Sequence, residues 1–313
     1  GAAPRIAAPP SDPERLKAAR DRVRRQLARE AERAGGAAAE DAAGAVGAHI
    51  EAMPAAYLLN TPLPVQARHL AMVARLQEGG RPVVDIRTPA PDALYSELTV
   101  VTHDDPEPGL LAKIAGALVA FDINVHSVQA FTRSADDADG EGAATGGNIA
   151  VDTLTIDYRD RPLPPLKRAD LEEALTAVLA GEVTVAELLG RHPRHRAAEG
   201  VAAAAAGSPS GNGSLPLLRV PVRLLSVDDG VGGGNGKGST LLDLEAPDEP
   251  ALVYRLAALF SGMGWNIHAA RLSAWAGMVR LAVYITGRDG RPVPEAEVWE
   301  RMDAALSSPP TEA

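Results

Sequence analysis

Two tripeptides, Asn124-Val125-His126 and Asn266-Ile267-His268, carry side chains suited to holding a small polar ligand. A carboxamide both donates and accepts hydrogen bonds, which matches the carboxylate and ammonium groups of an amino acid. Each tripeptide follows an apolar stripe of helical spacing and opens a run typical of a strand. A second interpretation is that each Asn only satisfies a tight helix-to-strand turn. The sequence leaves both interpretations open.

The tripeptides belong to an internal repeat. They lie 142 positions apart, and the same offset relates further pairs, namely Gly109 with Ala251 and Leu110 with Leu252. A shared offset across a helix, a turn and a strand indicates duplication of one structural unit. We therefore predict two copies of a small α+β module, packed together to form binding sites rather than a catalytic centre.

The turn before the first helix of each module is the second candidate for ligand contact. A helix N-terminus presents unpaired N–H groups and the positive end of the helix dipole to a carboxylate, and Gly109 lacks a Cβ that would block a ligand. Modules packed side by side and antiparallel bring Asn266 to Gly109 and Asn124 to Ala251. The predicted ligand-binding residues are Gly109, Leu110, Asn266 and Ile267 at one site, and Asn124, Val125, Ala251 and Leu252 at the other.

Other motifs with known chemistry do not meet their requirements. The stretch 232–239 (GGGNGKGS) has Lys237 followed by Gly238 and a strand, whereas a phosphate loop needs Lys followed by Ser or Thr and a helix. The dipeptide His103-Asp104 lacks the further His and Asp clusters of a metal-dependent phosphohydrolase. His69 is expected to be a packing or surface residue. We predict no catalytic residue, metal site or cofactor in this chain.

Composition narrows the class of protein. The 313 residues carry a formal net charge of −10, which argues against a nucleic-acid binder, and they include no cysteine for disulfides or thiolate chemistry. No apolar run approaches the roughly 20 residues of a membrane span, and no signal peptide is visible. We expect a cytoplasmic protein. It begins with Gly1 rather than Met, which is compatible with a fragment of a longer chain.

Hydrophobic periodicity and the Gly- and Pro-containing segments between periodic runs divide the chain into five parts. They are an N-terminal helical segment with a disordered start (1–80), module 1 (81–190), a flexible linker (191–216), module 2 (217–306) and a disordered tail (307–313). Each module has the order β-β-α-β-β-α. Nothing typical of a strand follows the second helix, so we predict that the leading strand takes the fourth-strand position of a ferredoxin-like sheet. Residues 220–227 outside the sheet would contradict this.

The two turn-helix-Asn stretches, THDDPEPGLLAKIAGALVAFDINVHS and EAPDEPALVYRLAALFSGMGWNIHAA, resemble the ACT domain, a small regulatory ligand-sensing module. With the upstream stretch MPAAYLLNTPLPVQARHLAMV, residues 50–306 resemble the C-terminal tandem ACT region of the bifunctional PII uridylyltransferase/uridylyl-removing enzyme family. The resemblance implies that the ACT pair senses glutamine and biases the enzyme toward uridylyl removal. It also implies partners outside this chain, namely the PII nitrogen-signalling protein and the catalytic domains.

Departures from the family pattern concern the two helix starts and the loops 134–147 and 228–239, which look expanded. The first turn has two extra residues around Pro106-Glu107, and Ala251 replaces the usual Gly in the second. The Gly109–Asn266 site is therefore the one expected to bind, with the other degenerate. The alternative is a stand-alone ACT-repeat protein that serves subunit association without a ligand. Pairing of the modules within one chain or across a homodimer is left open.

Overall fold

The computed structural model describes residues 13–34, 39–90, 92–104, 109–133, 147–191, 222–232, 238–249 and 251–307. The helices of these ranges are α1 (Pro13–Ala34), α2 (Ala39–Ala52), α3 (Ala55–Asn60), α4 (Leu63–Gly79), α5 (Leu110–Ala120), α6 (Pro165–Leu179), α7 (Val185–Gly190), α8 (Leu252–Gly262) and α9 (Glu295–Ser307). The strands are β1 (Val83–Arg87), β2 (Ser96–His103), β3 (Asn124–Arg133), β4 (Ile149–Asp157), β5 (Arg223–Gly232), β6 (Gly238–Pro247), β7 (Asn266–Trp275) and β8 (Met278–Thr286).

The described strands form one antiparallel sheet in the order β1-β2-β4-β3-β7-β8-β6-β5. Module 1 provides the first four strands of that order. Module 2 provides the other four, and its equivalent strands follow in the reverse order. The modules meet where β3 pairs with β7, with Ser127 opposite Ser273 and Phe131 opposite Ala269. We call this junction the seam. Helices α5 and α8 contact each other over it, so the two modules pair within a single chain.

The leading strand of each module occupies the predicted position. β1 pairs with β2 at one outer edge of the sheet, and β5 pairs with β6 at the other. Each strand therefore fills the place that a ferredoxin-like module normally gives to a strand after its second helix. The α+β class and the hairpin at the start of each module are confirmed.

Successive side chains of a strand point to opposite faces of the sheet, so the sheet contributes to a separate hydrophobic core on each face. In β4, the side chains of Leu154 and Ile156 join the core beneath α5, α6, α8 and α9. Val151, from the opposite face of the same strand, joins a second core with residues of the N-terminal helices. Fully burying one such aliphatic side chain contributes roughly 1.5–3 kcal/mol, so the N-terminal helices are held firmly on the back of module 1.

A buried polar chain fixes those helices to the sheet. The hydroxyl of Tyr57 lies 3.3 Å from Nε2 of His49 and 3.2 Å from Nδ1 of His69. Nε2 of His69 lies 3.2 Å from the hydroxyl of Thr153 on β4. Burial lowers the pKa of both histidines to about 3, so both are neutral at physiological pH. His69 is thus a packing residue, one of its two predicted roles.

Three short or alanine-rich helices were absent from the sequence prediction. α2, α3 and α7 carry little amphipathic signal, and packing against neighbours rather than periodicity stabilises them. The predicted linker lies outside the described residues apart from Arg191, as do the N-terminal start and most of the tail. None of the helices in the described ranges combines the length and the apolar character that a membrane crossing requires.

Candidate functional site

A cavity opens at one end of the seam, where the start of α5 in module 1 faces the end of α8 in module 2. We call it the seam cavity. Among its lining residues, module 1 provides Asp104, Gly109, Leu110, Ala112, Ala130 and Asp152, and module 2 provides Ala257, Ser261, Trp265, Asn266 and Ile267. The wall needs both modules, so the cavity exists only because they pair.

Gly109 is required at the mouth of α5 for two reasons. Its φ of 142° and ψ of 0° lie where an L side chain is strained. A Cβ built on Gly109 would also lie 3.1 Å from Oγ of Ser261 in the other module. Because glycine has no side chain to cap the helix, the first N–H groups of α5 remain available to a bound anion.

The exit of α8 delivers two polar groups to the same cavity. Gly264, at φ 71°, reverses the chain, and the N–H of Trp265 then donates to the carbonyl of Phe260 at 2.9 Å. The Trp265 side chain is buried at 2% exposure, yet its indole Nε1 has no hydrogen-bond partner among the described residues. Within the same ranges, the carboxamide of Asn266 also lacks a partner. Two neighbouring residues of the cavity lining therefore carry polar groups without a partner in the described ranges.

Two carboxyl groups complete the polar wall. Asp152 lies on β4 within the module 1 core and is 3% exposed, and Asp104 follows the end of β2. Burial, followed by the charge of Asp104, raises the pKa of Asp152 to about 8, and a hydrogen bond from the backbone of Phe131 acts in the opposite direction. At neutral pH the carboxyl group of Asp152 is therefore mostly protonated.

The seam cavity is narrow in this conformation. The space between atoms is about 530 Å³ when solvent at the mouth is included. Centres of water molecules can occupy only about 40 Å³ of it, and one water needs about 10–15 Å³ by this measure, so the enclosed part holds roughly three waters. An amino acid would have to displace them and widen the mouth.

The corresponding position at the other end of the seam is built differently. Nδ2 of Asn124 donates to Oδ1 of Asp157 at 3.2 Å, and Nε2 of His126 hydrogen-bonds the second carboxylate oxygen. In module 2 the residue at the register position of Asp157 is Thr286, which engages His268 at 2.7 Å. Asn124 is thus occupied within its own module, whereas Asn266 is not.

Side-chain size distinguishes the two ends further. The repeat offset and the strand registers, in which Ala130 faces Asp152 and Leu272 faces Leu281, identify the equivalent positions. At the second end, larger and mostly apolar side chains replace four small or polar ones of the seam cavity: Tyr254 for Ala112, Leu272 for Ala130, Leu281 for Asp152 and Val119 for Ser261. Ile123 takes the place of Trp265; it is smaller but carries no polar atom. The ring of Tyr254 lies against α5, where a Cβ on Gly116 would come within 3.0 Å of it.

The structure separates the sequence-predicted residues into two groups. Gly109, Leu110, Asn266 and Ile267 line the seam cavity together, and its lining does not include Asn124, Val125, Ala251 or Leu252. The sequence prediction missed Asp152, Ser261 and Trp265. Asp152 gave a usable signal, because it is an acid on the inward face of β4, which otherwise carries the apolar residues Leu154 and Ile156.

The described ranges contain no cluster of metal-ligating side chains. His, Asp and Glu side chains nowhere gather there in threes in a way that could hold a metal ion. The seam cavity offers hydrogen-bond donors and carboxyl groups rather than a nucleophile paired with a base, so its arrangement suits binding.

Among curated proteins, the chain is similar to two bifunctional uridylyltransferase/uridylyl-removing enzymes. It is 25% identical to that of Rhodospirillum rubrum over 258 residues, which cover 80% of this chain and 24% of the relative. It is 26% identical to that of Streptomyces coelicolor over 208 residues, covering 66% of this chain and 21% of the relative. The aligned part is less than a quarter of the length of these relatives. Neither a protein-family model nor a solved structure matches the chain.

Proposed function

We propose that this chain is the amino-acid-sensing part of a uridylyltransferase/uridylyl-removing regulator, and that it binds glutamine in the seam cavity. The observation that carries the proposal is the convergence of complementary polar groups from both modules in one cavity. Similarity to the two bifunctional enzymes supports the proposed type of regulator.

Each group of the cavity has a counterpart in a zwitterionic amino acid. The start of α5 at Gly109 suits the α-carboxylate, because oriented N–H groups and the helix dipole both favour an anion there. The unpartnered Trp265 N–H and the Asn266 carboxamide suit a ligand with further acceptors and donors, such as the side-chain carboxamide of glutamine. The choice of glutamine rests on the ACT resemblance; the geometry supports the amino-acid class.

The regulatory role follows from the way the cavity is assembled. A ligand that contacts α5 and the end of α8 together favours one arrangement of the modules over others, and binding shifts an equilibrium only through such differential contacts. The N-terminal helices, fixed to β4 through His69 and Thr153, lie on the path from module 1 toward the upstream part of the chain. In the proposed regulator they convey occupancy to catalytic domains that modify the PII protein.

Titration calorimetry with glutamine tests the proposal on the chain as it stands. We expect saturable binding that Asn266→Ala abolishes, because the free carboxamide is lost, and that Asn124→Ala leaves within about twofold. The second variant is a matched control, since Asn124 is the repeat equivalent and is already bonded to Asp157. Equal losses in both variants, or full binding in Asn266→Ala, would contradict the assignment.

The competing function is association without a ligand. The continuous sheet across the seam and the narrow cavity favour it, because both are consistent with a purely structural junction. In that case no amino acid produces saturable heat, and Asn266→Ala changes only stability. The same calorimetric series therefore decides between the two functions.

A further inference from the structure

We infer that Asp152, supported by Asp104, receives the positively charged amino group of the ligand, so that the seam cavity selects zwitterionic amino acids over acids that lack that group. This inference rests on the proposed function, since it assigns one group of the same ligand to a named pair of side chains.

The seam cavity presents the carboxyl group of Asp152 to a ligand. Its described lining contains two carboxyl groups and no Lys, Arg or His. The two acids come from β4 and the end of β2, while the donors that suit a carboxylate come from the starts and ends of helices. An α-amino acid carries an ammonium and a carboxylate group about one carbon apart. It can therefore place its ammonium at the acids and its carboxylate at the hydrogen-bond donors at the same time.

The fold itself does not need an acid at position 152. Module 2 has Leu281 at the equivalent register, facing Leu272 where module 1 has Ala130 facing Asp152. Leu281 is buried and packs within the main core. Burying an ionisable group is costly unless it is paired, so a buried carboxyl group beside a cavity points to a ligand group that it binds.

Binding of an ammonium group should change the protonation of Asp152 in a measurable way. Asp104 is the other titratable group in the described lining, and its charge adds to burial in raising the pKa of Asp152 to about 8. An ammonium group favours the ionised carboxylate, so at pH 7 binding releases a proton from Asp152 to solvent while the ligand keeps its own. Affinity then rises with pH, nearly tenfold between pH 6 and 7.

The experiment is calorimetry of glutamine, and of its analogue without the amino group (glutaric acid monoamide), in buffers of different ionisation enthalpy. The variants are Asp152→Asn, Asp152→Leu and the control Asp157→Asn, each checked for folding by circular dichroism. We expect glutamine to release close to one proton at pH 7. Both Asp152 variants weaken glutamine by roughly 30-fold or more and abolish the proton release, whereas Asp157→Asn changes neither.

The monoamide separates charge recognition from shape. It should bind the native chain much more weakly than glutamine, and it should not be weakened further by Asp152→Leu. Glutamine binding that is unchanged in both Asp152 variants, with no proton release, overturns this inference and leaves the proposed function intact. Absence of saturable binding by any amino acid to the native chain overturns both.

Discussion

The two ends of the seam began as copies of one arrangement and now differ in nearly every side chain that matters. At one end a glycine starts the helix and small or polar residues surround a cavity; at the other, Ala251 starts the helix and Tyr254, Leu272 and Leu281 fill the space. Strand pairing and helix exits correspond in the two places, whereas the helix starts differ, with φ of 142° at Gly109 and 64° at Ala251. The duplicated fold is thus the same at both ends, while the side chains around the two helix starts differ.

The contrast between the two ends is sharpest at the equivalent positions Asp152 and Leu281. Leu281→Asp places a carboxyl among apolar side chains without a counter-charge, and we expect it to lower the free energy of unfolding by about 3–5 kcal/mol. Asp152→Leu makes the reverse exchange and should be neutral or stabilising at pH 8. Urea unfolding of both variants measures this difference. Equal destabilisation would mean that the two ends are not equivalent positions.

The modules also differ on their back faces, where only module 1 carries the N-terminal helices. His49 and His69 have folded pKa values of about 3 against about 6.5 when unfolded. The unfolded chain therefore binds more protons between these values, and stability falls as pH drops below about 6.5. From pH 8 to pH 5 the loss is about 2 kcal/mol for each histidine.

This acid effect is best measured in the Asp152→Leu background. The folded pKa of Asp152 is raised, so its contribution has the opposite sign and would offset the loss. Addition of His69→Gln should remove about half of the pH dependence, because one of the two titrating rings is gone. An unchanged dependence would show that these histidines are not the groups that titrate.

The helix starts offer the next comparison. Gly109→Ala places a Cβ at a strained φ and 3.1 Å from Oγ of Ser261, and we expect it to cost about 1–3 kcal/mol of stability and to abolish ligand binding. Thermal unfolding and calorimetry measure the two effects. Gly109→Ala with native stability and native affinity would contradict the role given to this position.

The smallest expected effect lies at the second helix start. Ala251 has φ 64°, a left-handed conformation that costs a non-glycine residue about 1–2 kcal/mol, while glycine loses about 0.5–1 kcal/mol more in backbone freedom on folding. Ala251→Gly should therefore stabilise the chain by about 0.5–1 kcal/mol without creating a second binding site. A second site appearing in this variant would show that Ala251 alone had closed it.

Local pattern and the repeat predicted much of this molecule, and packing decided the rest. The offset between Asn124 and Asn266 predicted the two modules, and the absence of a final strand predicted the edge position of β5. Two features needed three-dimensional structure. The helix α2 is an alanine-rich segment without clear periodicity. Asp152 is visible in the sequence as an acid on an inward face, but only the approach of α8 from the other module places it in a cavity.

The stoichiometry of glutamine binding tests the central claim most directly. Calorimetry on the native chain, with active concentration fixed independently, should give one molecule bound per chain and none in the Asn266→Ala variant. The reason is that, among the described residues, the Gly109–Asn266 end of the seam combines unpartnered polar groups with a cavity, while Asn124 at the other end is bonded to Asp157. Two equivalent molecules per chain, or one that persists in Asn266→Ala, would contradict it.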